Sequence, residues 1–319
     1  MKYLLSKATK VTGKNKTTIQ KATNNGVVSA PKSESQTTNK KFKKTFIFGL
    51  GSAKSGTSWL YSYLASHPQF KPGPAKEMHV ISNHGERPLI RNIIDLPYHR
   101  FRGIGWLNYN LQKAYYKSNW QRYYRLYEKI LESDFQATAD ISPSYMSLKP
   151  EKITLVRTEF EKREINFVGA LILRDPVERV ISNLRYDKFR ASSNKFRPDI
   201  LKTLDKQVYE FIEAGSAESD QEYGNGIKLI SECFSEGTRF TALYEDLFEQ
   251  RQMDRLCEVC GLQYHKGEFS KRSNQSPRYD QVNIALLFKL RRHLQPAYDA
   301  AESYFGAEHL ERYWKNYHL

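Results

Sequence analysis

Apolar and polar positions fall in blocks along this chain, and the blocks predict a repeated strand–turn–helix unit. Thr45-Phe46-Ile47-Phe48-Gly49-Leu50 is a short apolar run bounded by glycine. Such a run predicts a strand buried on both faces. Ser55-Gly56-Thr57-Ser58 makes a turn. Trp59 to Leu64 then carries apolar residues at helical spacing until His67-Pro68 ends it. The same order returns downstream: Asn166 to Leu173 as strand, Arg174-Asp175-Pro176 as turn, and a helix from Val177 to about Phe189. Asp175 suits an N-cap and Pro176 the first helical position. A third strand is predicted at Arg239 to Tyr244. A helix follows from about Arg251 to Cys260, with Gly261 as its stop. Strands alternating with helices predict an α/β fold of three layers, a central parallel β-sheet flanked by helices.

Tyr116, Trp120, Tyr123 and Tyr127 share one helical face among Lys and Arg residues. A stripe of this kind packs into a core while cationic stems run along its edges. The same face would also serve as a wall on which a sugar stacks.

Composition divides the chain. Residues 1–40 are rich in Lys, Thr, Ser and Asn and poor in large apolar side chains. That composition cannot offset the entropy of ordering, so a disordered basic tail is expected, followed by a single domain over 41–319. The formal net charge is +15, and residues 1–44 hold eleven Lys against one acid, Glu34. A basic tail suits nucleic acid or an anionic membrane. We read it as a solvated leader with no specific nucleic-acid target. It lacks the apolar stretch of a secretory signal, and the first Arg is Arg87, unlike an Arg-rich transit peptide. No apolar run approaches the roughly 20 residues of a membrane span. Three cysteines exclude a disulfide scaffold, and their sparseness predicts the cytoplasm. Cys257-Glu258-Val259-Cys260 lacks the second ligand pair of a zinc site and reads as core filler.

Gly51-Ser52-Ala53-Lys54-Ser55-Gly56-Thr57-Ser58-Trp59-Leu60 joins the first strand to its helix. Gly51 and Gly56 let backbone approach a ligand closely. The helix start offers unpaired N–H groups and a positive dipole end. Lys54 adds a charge, and Thr57 and Ser58 add hydroxyls. The ligand this favours is an oxyanion. The spelling differs from the NTPase loop, whose Lys directly follows its last Gly. It resembles instead the 5′-phosphosulfate loop of sulfotransferases that use 3′-phosphoadenosine 5′-phosphosulfate (PAPS).

The resemblance implies a P-loop-type fold and a donor site built from Ser52, Lys54, Ser55, Gly56, Thr57, Ser58 and Trp59. Lys54 would lie over the bridging oxygen and the transferring group. Leu173 to Ser182 is similar to the family's 3′-phosphate motif, with Arg174 at the strand end and Ser182 eight residues on. The Arg fork suits a phosphate. Ser182 lies about 9 Å along the helix from Pro176, within reach of a ligand at the helix start. Further short matches follow in order: Lys76-Glu77-Met78-His79, the Gly-x-x-Trp segment ending at Trp106, Asp140-Ile141-Ser142-Pro143-Ser144-Tyr145, Leu243 to Leu247, and a late cofactor-facing loop with Asn274, Ser276 and Arg278. They span roughly residues 45–314 and look closest to the carbohydrate branch, heparan-type and bacterial.

By the same resemblance Glu77 is the expected general base, with His79 as alternative because an imidazole titrates near neutrality. Lys76, Trp106, Asp140, Ser142 and Tyr145 are expected on the acceptor side. Lys54 and Arg174 would supply the cations that Mg²⁺ supplies in kinases, so no metal is expected. Val80-Ile81 stand where that branch has paired aromatics, and Gly105 where it often has Asp. Both departures leave the acceptor open: a carbohydrate hydroxyl first, a hydroxyl or amine of a small metabolite second. A P-loop nucleotide kinase or NTPase is the competing enzyme class, and a nucleic-acid binder acting through the tail is the competing non-enzyme.

Overall fold

Four parallel strands form the centre: β1 (Lys44–Gly49), β2 (Ala137–Ile141), β3 (Ile165–Leu173) and β4 (Arg239–Leu243), in the spatial order β2-β1-β3-β4. The computed structural model describes residues 44–81, 111–192, 203–215, 217–269 and 282–319. The expected basic tail and the expected site residues Trp106, Asn274, Ser276 and Arg278 lie outside them.

Alternation along β1 sorts the two faces of the sheet. Phe46 and Phe48 enter one core and Ile47 the other, all fully buried. On the first face lie α2 (Trp120–Leu131), α3 (Pro150–Glu161) and α6 (Ala217–Cys233); α4 (Pro176–Ser192) and α5 (Leu204–Glu213) precede α6 in the chain. Phe46 stacks on Phe160 at 4.1 Å and meets Tyr127 edge-on at 4.6 Å. On the second face lie α1 (Thr57–Ser66) and α7 (Gln250–Cys260), with Trp59, Leu60, Met253 and Leu256 buried against Ile47, Val168 and Ala170. Helices α8 (Ile284–His293), α9 (Gln295–Phe305) and α10 (Ala307–Tyr313) complete the chain. This is the expected helix–sheet–helix sandwich.

The structure adds a strand that the hydrophobic pattern misses. β2 spells ATADI, with one large apolar residue and an Asp, yet all five positions are buried. The aromatic stripe resolves as core rather than as a sugar wall. Tyr123 and Tyr127 have no exposed surface, while Tyr116 and Trp120 pack at the margin of the same cluster. Cys257 and Cys260 are likewise core residues, and Tyr63 Oη lies 3.4 Å from Cys257 Sγ. Gly261 ends α7 at φ 66°, the left-handed stop expected of it. Among the described residues, no helix is long and apolar enough to cross a membrane.

The topology places the site. β2 and β3 pair with opposite edges of β1, so the chain changes direction there. In open parallel sheets the crevice beyond the strand C-termini at such a point is the ligand position. The loop after β1 and the turns after β2, β3 and β4 all emerge at that end, because parallel strands finish on one side.

Candidate functional site

The loop after β1 is shaped by close approaches. Gly56 has φ 84°, and a Cβ there would stand 2.7 Å from Tyr244 Cδ2. A Cβ on Gly51 would stand 2.6 Å from Thr57 Cγ2. Only glycine fits both positions. Lys54 also adopts a left-handed φ of 69°, a conformation that costs a non-glycine residue energy and collects at ligand sites. The Ser52 and Ser55 hydroxyls share a buried hydrogen bond that closes the loop on itself. Trp59 and Leu60 N–H groups bond the Gly56 carbonyl. No side chain caps α1, so its first N–H groups point out of the helix start.

Arg174 arrives from the end of β3. Its Nη1 donates to the Lys54 carbonyl at 3.1 Å, and its Nη2 lies 3.5 Å from Glu178. The guanidinium sits 4.6 Å over the Tyr244 ring. The Lys54 ammonium sits 4.2 Å over the Tyr186 ring. Burial lowers the Lys54 pKa, the Arg174 charge lowers it further, and Asp187 opposes both. Thus Lys54 and Arg174, which come from two separate motifs, bound one cavity. Its volume is about 310 Å³, and Lys54, Thr57, Ser58, Lys76, Glu77, Arg174 and Ser182 line it. Three cations against one carboxylate on that wall suit an anion. Trp59 also borders it, although its ring is buried edge-on to Phe248 at 4.9 Å.

The Arg174 turn is fastened from behind. Asp175 Oδ1 accepts from Val177 N at 3.0 Å, Glu178 N at 3.2 Å and Tyr298 Oη at 2.8 Å. Its Oδ2 accepts from both Asn316 N and Asn316 Nδ2 at 3.0 Å. Glu245 adds a second tie: Oε1 accepts from Asp175 N at 3.3 Å and Oε2 from Trp314 Nε1 at 3.1 Å. Burial, followed by the Asp175 charge, pushes the Glu245 carboxyl up to about 8. Tyr186, Tyr244, Glu245 and Phe248 were not anticipated as site residues. The match at Leu243 to Leu247 was the one signal that pointed near three of them.

The segment after α1 carries Glu77, the expected base, and His79, its alternative. Lys76 Nζ contacts Glu77 Oε1 at 2.6 Å and donates to Thr57 Oγ1 at 3.1 Å and Ser58 Oγ at 3.2 Å. His79 Nε2 lies 3.1 Å from Glu77 Oε2, and His79 Nδ1 lies 2.6 Å from Ser144 Oγ. Burial would raise the Glu77 carboxyl, but the His79 hydrogen bond and the Lys76 charge outweigh it and hold the group at about 2.

Asp140, Ser142 and Tyr145 require a correction. All three are fully buried, so none offers surface to an acceptor. Asp140 accepts from Met78 N at 3.0 Å, Ser142 Oγ at 2.7 Å, Tyr123 Oη at 2.9 Å and Tyr145 Oη at 2.6 Å. Ser142 Oγ also accepts from His79 N at 3.0 Å. These residues hold the 76–79 segment from beneath, with His79 at φ 50°. Burial raises the Asp140 pKa, and the four donors counter it.

No family model matches the sequence, and no curated protein does. The fold has a counterpart among solved structures. A sulfotransferase from Alicyclobacillus acidocaldarius aligns over 82% of this chain and 95% of its own, with a TM-score of 0.52 and 19% identity. The chain has the sulfotransferase fold. Two further structures are similar at lower scores: the sulfotransferase domain of the curacin biosynthetic pathway (TM-score 0.42, 16% identity, 76% and 82% of the two chains) and that of the Synechococcus PCC 7002 olefin synthase (0.44, 15%, 82% and 94%). In this sulfotransferase fold the cation-lined cavity stands at the switch point of the sheet. Among the described residues, no group of three His, Cys, Asp or Glu is placed to hold a metal ion.

Proposed function

We propose that the protein transfers the sulfuryl group of PAPS to an acceptor hydroxyl and releases adenosine 3′,5′-bisphosphate. The observation that carries this reading is the meeting of Arg174 with the Lys54 loop at 3.1 Å. One loop alone would suit any oxyanion. A second cationic clamp beside it suits a nucleotide with phosphates at both ends.

The roles follow from placement. The open start of α1 with the Thr57 and Ser58 hydroxyls holds the 5′-phosphate. Arg174 and Ser182 hold the 3′-phosphate. The acceptor oxygen attacks sulfur while the bond from sulfur to the bridging oxygen breaks. The electron pair goes to that leaving oxygen, where Lys54 stabilises the charge. The acceptor proton goes to a Glu77 oxygen. Glu77 is ionised at neutral pH and so is ready to accept it. Its basicity is weak while the His79 hydrogen bond and the Lys76 charge both act on it. Transfer of Lys76 from Glu77 to the sulfuryl oxygens raises that basicity when the donor is bound. His79 Nε2, 3.1 Å away, donates to the other Glu77 oxygen and holds the carboxylate in place.

A carbohydrate hydroxyl is the first acceptor, and a hydroxyl or amine of a small metabolite the second. Three free, buried cysteines fit a reducing compartment, and we place the protein in the cytoplasm. The test is an acceptor screen with radiolabelled PAPS on the full chain, beside Lys54→Ala and Arg174→Ala. Label transfer that both substitutions abolish supports the reading. No heat on titrating adenosine 3′,5′-bisphosphate sinks it.

A further inference from the structure

The Arg174 guanidinium is committed on two sides. Nη1 donates to the Lys54 carbonyl, and the Tyr244 ring covers one face. The edge formed by Nε and Nη2 remains. Nε is buried and has no hydrogen-bond partner among the described residues, and a buried donor left unmade destabilises a protein. Nη2 faces Glu178 Oε2 at 3.5 Å, too long for a good hydrogen bond. Ser182, which lines the donor cavity, follows Glu178 by one helical turn on α4, so the two share a face beside that edge. A negative side chain thus borders the place proposed for the 3′-phosphate.

Glu178 has a second partner. Lys315 Nζ contacts Glu178 Oε1 at 2.7 Å, and the lysine side chain is 71% exposed. Its chain neighbours are buried: Trp314 is tied to Glu245, and Asn316 to Asp175. These anchors on either side keep Lys315 beside the first turn of α4. Burial would raise the Glu178 carboxyl, but the Lys315 hydrogen bond and charge outweigh it and hold the group below its ordinary value. Glu178 is therefore charged at neutral pH.

We infer that Glu178 is an internal competitor for the donor's 3′-phosphate, and that Lys315 takes the carboxylate over when the phosphate arrives. The inference rests on the proposed role of Arg174 and deepens it. In the free protein Glu178 stands in for a ligand anion at the Nε–Nη2 edge. A phosphate brings about two negative charges and three acceptor oxygens, so it displaces a single carboxylate held at 3.5 Å. A nucleotide without a 3′-phosphate has nothing to exchange there. Glu178 and Lys315 are positioning residues, and together they set selectivity for the 3′-phosphate.

Calorimetry on the full chain tests this with adenosine 3′,5′-bisphosphate and adenosine 5′-monophosphate. Wild type should prefer the bisphosphate. Glu178→Gln should bind the bisphosphate about fivefold more tightly, because a repelling charge is gone; loss of a merely structural contact would weaken it. Lys315→Met, at an exposed position where the fold does not depend on the ammonium, should bind it about threefold more weakly. In the Glu178→Gln background the lysine change should have no effect, because the two residues act as one pair. Monophosphate affinity should stay level throughout. Unchanged or weaker bisphosphate binding in Glu178→Gln overturns the inference, as does unchanged or tighter binding in Lys315→Met. A lysine effect that persists without the carboxylate, or an equal shift for the monophosphate, overturns it too. A wild type that binds both nucleotides alike overturns the assignment of Arg174 to the 3′-phosphate, and one that binds neither overturns the sulfotransferase reading itself.

Discussion

The Arg174 guanidinium donates to the Lys54 carbonyl at 3.1 Å, although 120 residues separate them in the chain. Neighbouring parallel strands make this possible, because β1 and β3 end side by side. The contact fixes the backbone of the Lys54 loop and leaves the Arg174 Nη2 edge near Glu178.

Replacement of that guanidinium should separate charge from shape. Arg174→Ala is expected to weaken adenosine 3′,5′-bisphosphate binding about 100-fold, near 3 kcal/mol. Arg174→Lys keeps the charge but not the fork, so it should recover only part of the loss. Calorimetry at constant salt reads both. Equal affinity of Lys and Arg proteins would show that a point charge suffices.

Gly56 should tolerate no side chain. Gly56→Ala meets both a positive φ and a Tyr244 ring carbon at 2.7 Å. Gly215 has φ 55° with nothing within 4 Å of its Cβ position. Gly215→Ala should therefore cost about 1 kcal/mol from backbone strain alone, and Gly56→Ala about 2–3 kcal/mol. Thermal melts compare them. The bisphosphate affinity should fall only in Gly56→Ala, because Tyr244 also seats Arg174.

Glu77 carries a rate prediction and a pH prediction. Glu77→Gln should lower turnover by at least about 100-fold with little change in bisphosphate affinity. The carboxyl falls from an ordinary 4.5 to about 2 on folding. A depressed acid stabilises the fold above 4.5, and that contribution is lost as pH drops toward 2. Wild type should therefore lose stability relative to Glu77→Gln between pH 4.5 and 2, and denaturant titrations at both ends check it.

Glu245 should behave in the opposite sense. Its carboxyl rises from 4.5 to about 8 on folding. Below pH 4.5 it is protonated in both states. As pH climbs from 4.5 to 8 the unfolded chain ionises and the folded one does not, so this group's contribution to stability falls. Glu245→Gln removes the titration. Its melting temperature should gain on wild type from pH 5 to pH 8, and a constant difference across that range would show that burial does not raise the Glu245 pKa.

The sequence announced some of this architecture and hid the rest. β1 and β3 were readable because each is an apolar run that ends at a glycine-bearing loop or a capped proline turn. The Asp175 cap and the Gly261 stop were readable because capping is local chemistry. β2 was not. Its burial comes from its place beside β1, where Phe48 pairs with Asp140, and not from its own hydrophobicity. That register also explains Asp140. It shares a face with Phe48, whose ring stacks on Tyr145 at 4.4 Å, so its carboxylate lies under the tyrosines instead of at the acceptor. The Lys54–Arg174 meeting needs the strand order, which no local pattern encodes. Tyr186 and Tyr244 were invisible for a similar reason: an aromatic ring under a cation has no spacing signature.

The fastening of Asp175 has a bearing on biosynthesis. Asn316, which donates twice to its carboxylate, stands 141 residues downstream. A chain still on the ribosome can assemble all four strands, since β4 ends at Leu243, while the Arg174 turn waits for this partner. Translation thus delivers the scaffold early and the fastened Arg174 turn late, and a nascent chain halted between the two would be folded at its centre with that turn still lacking its Asn316 tie.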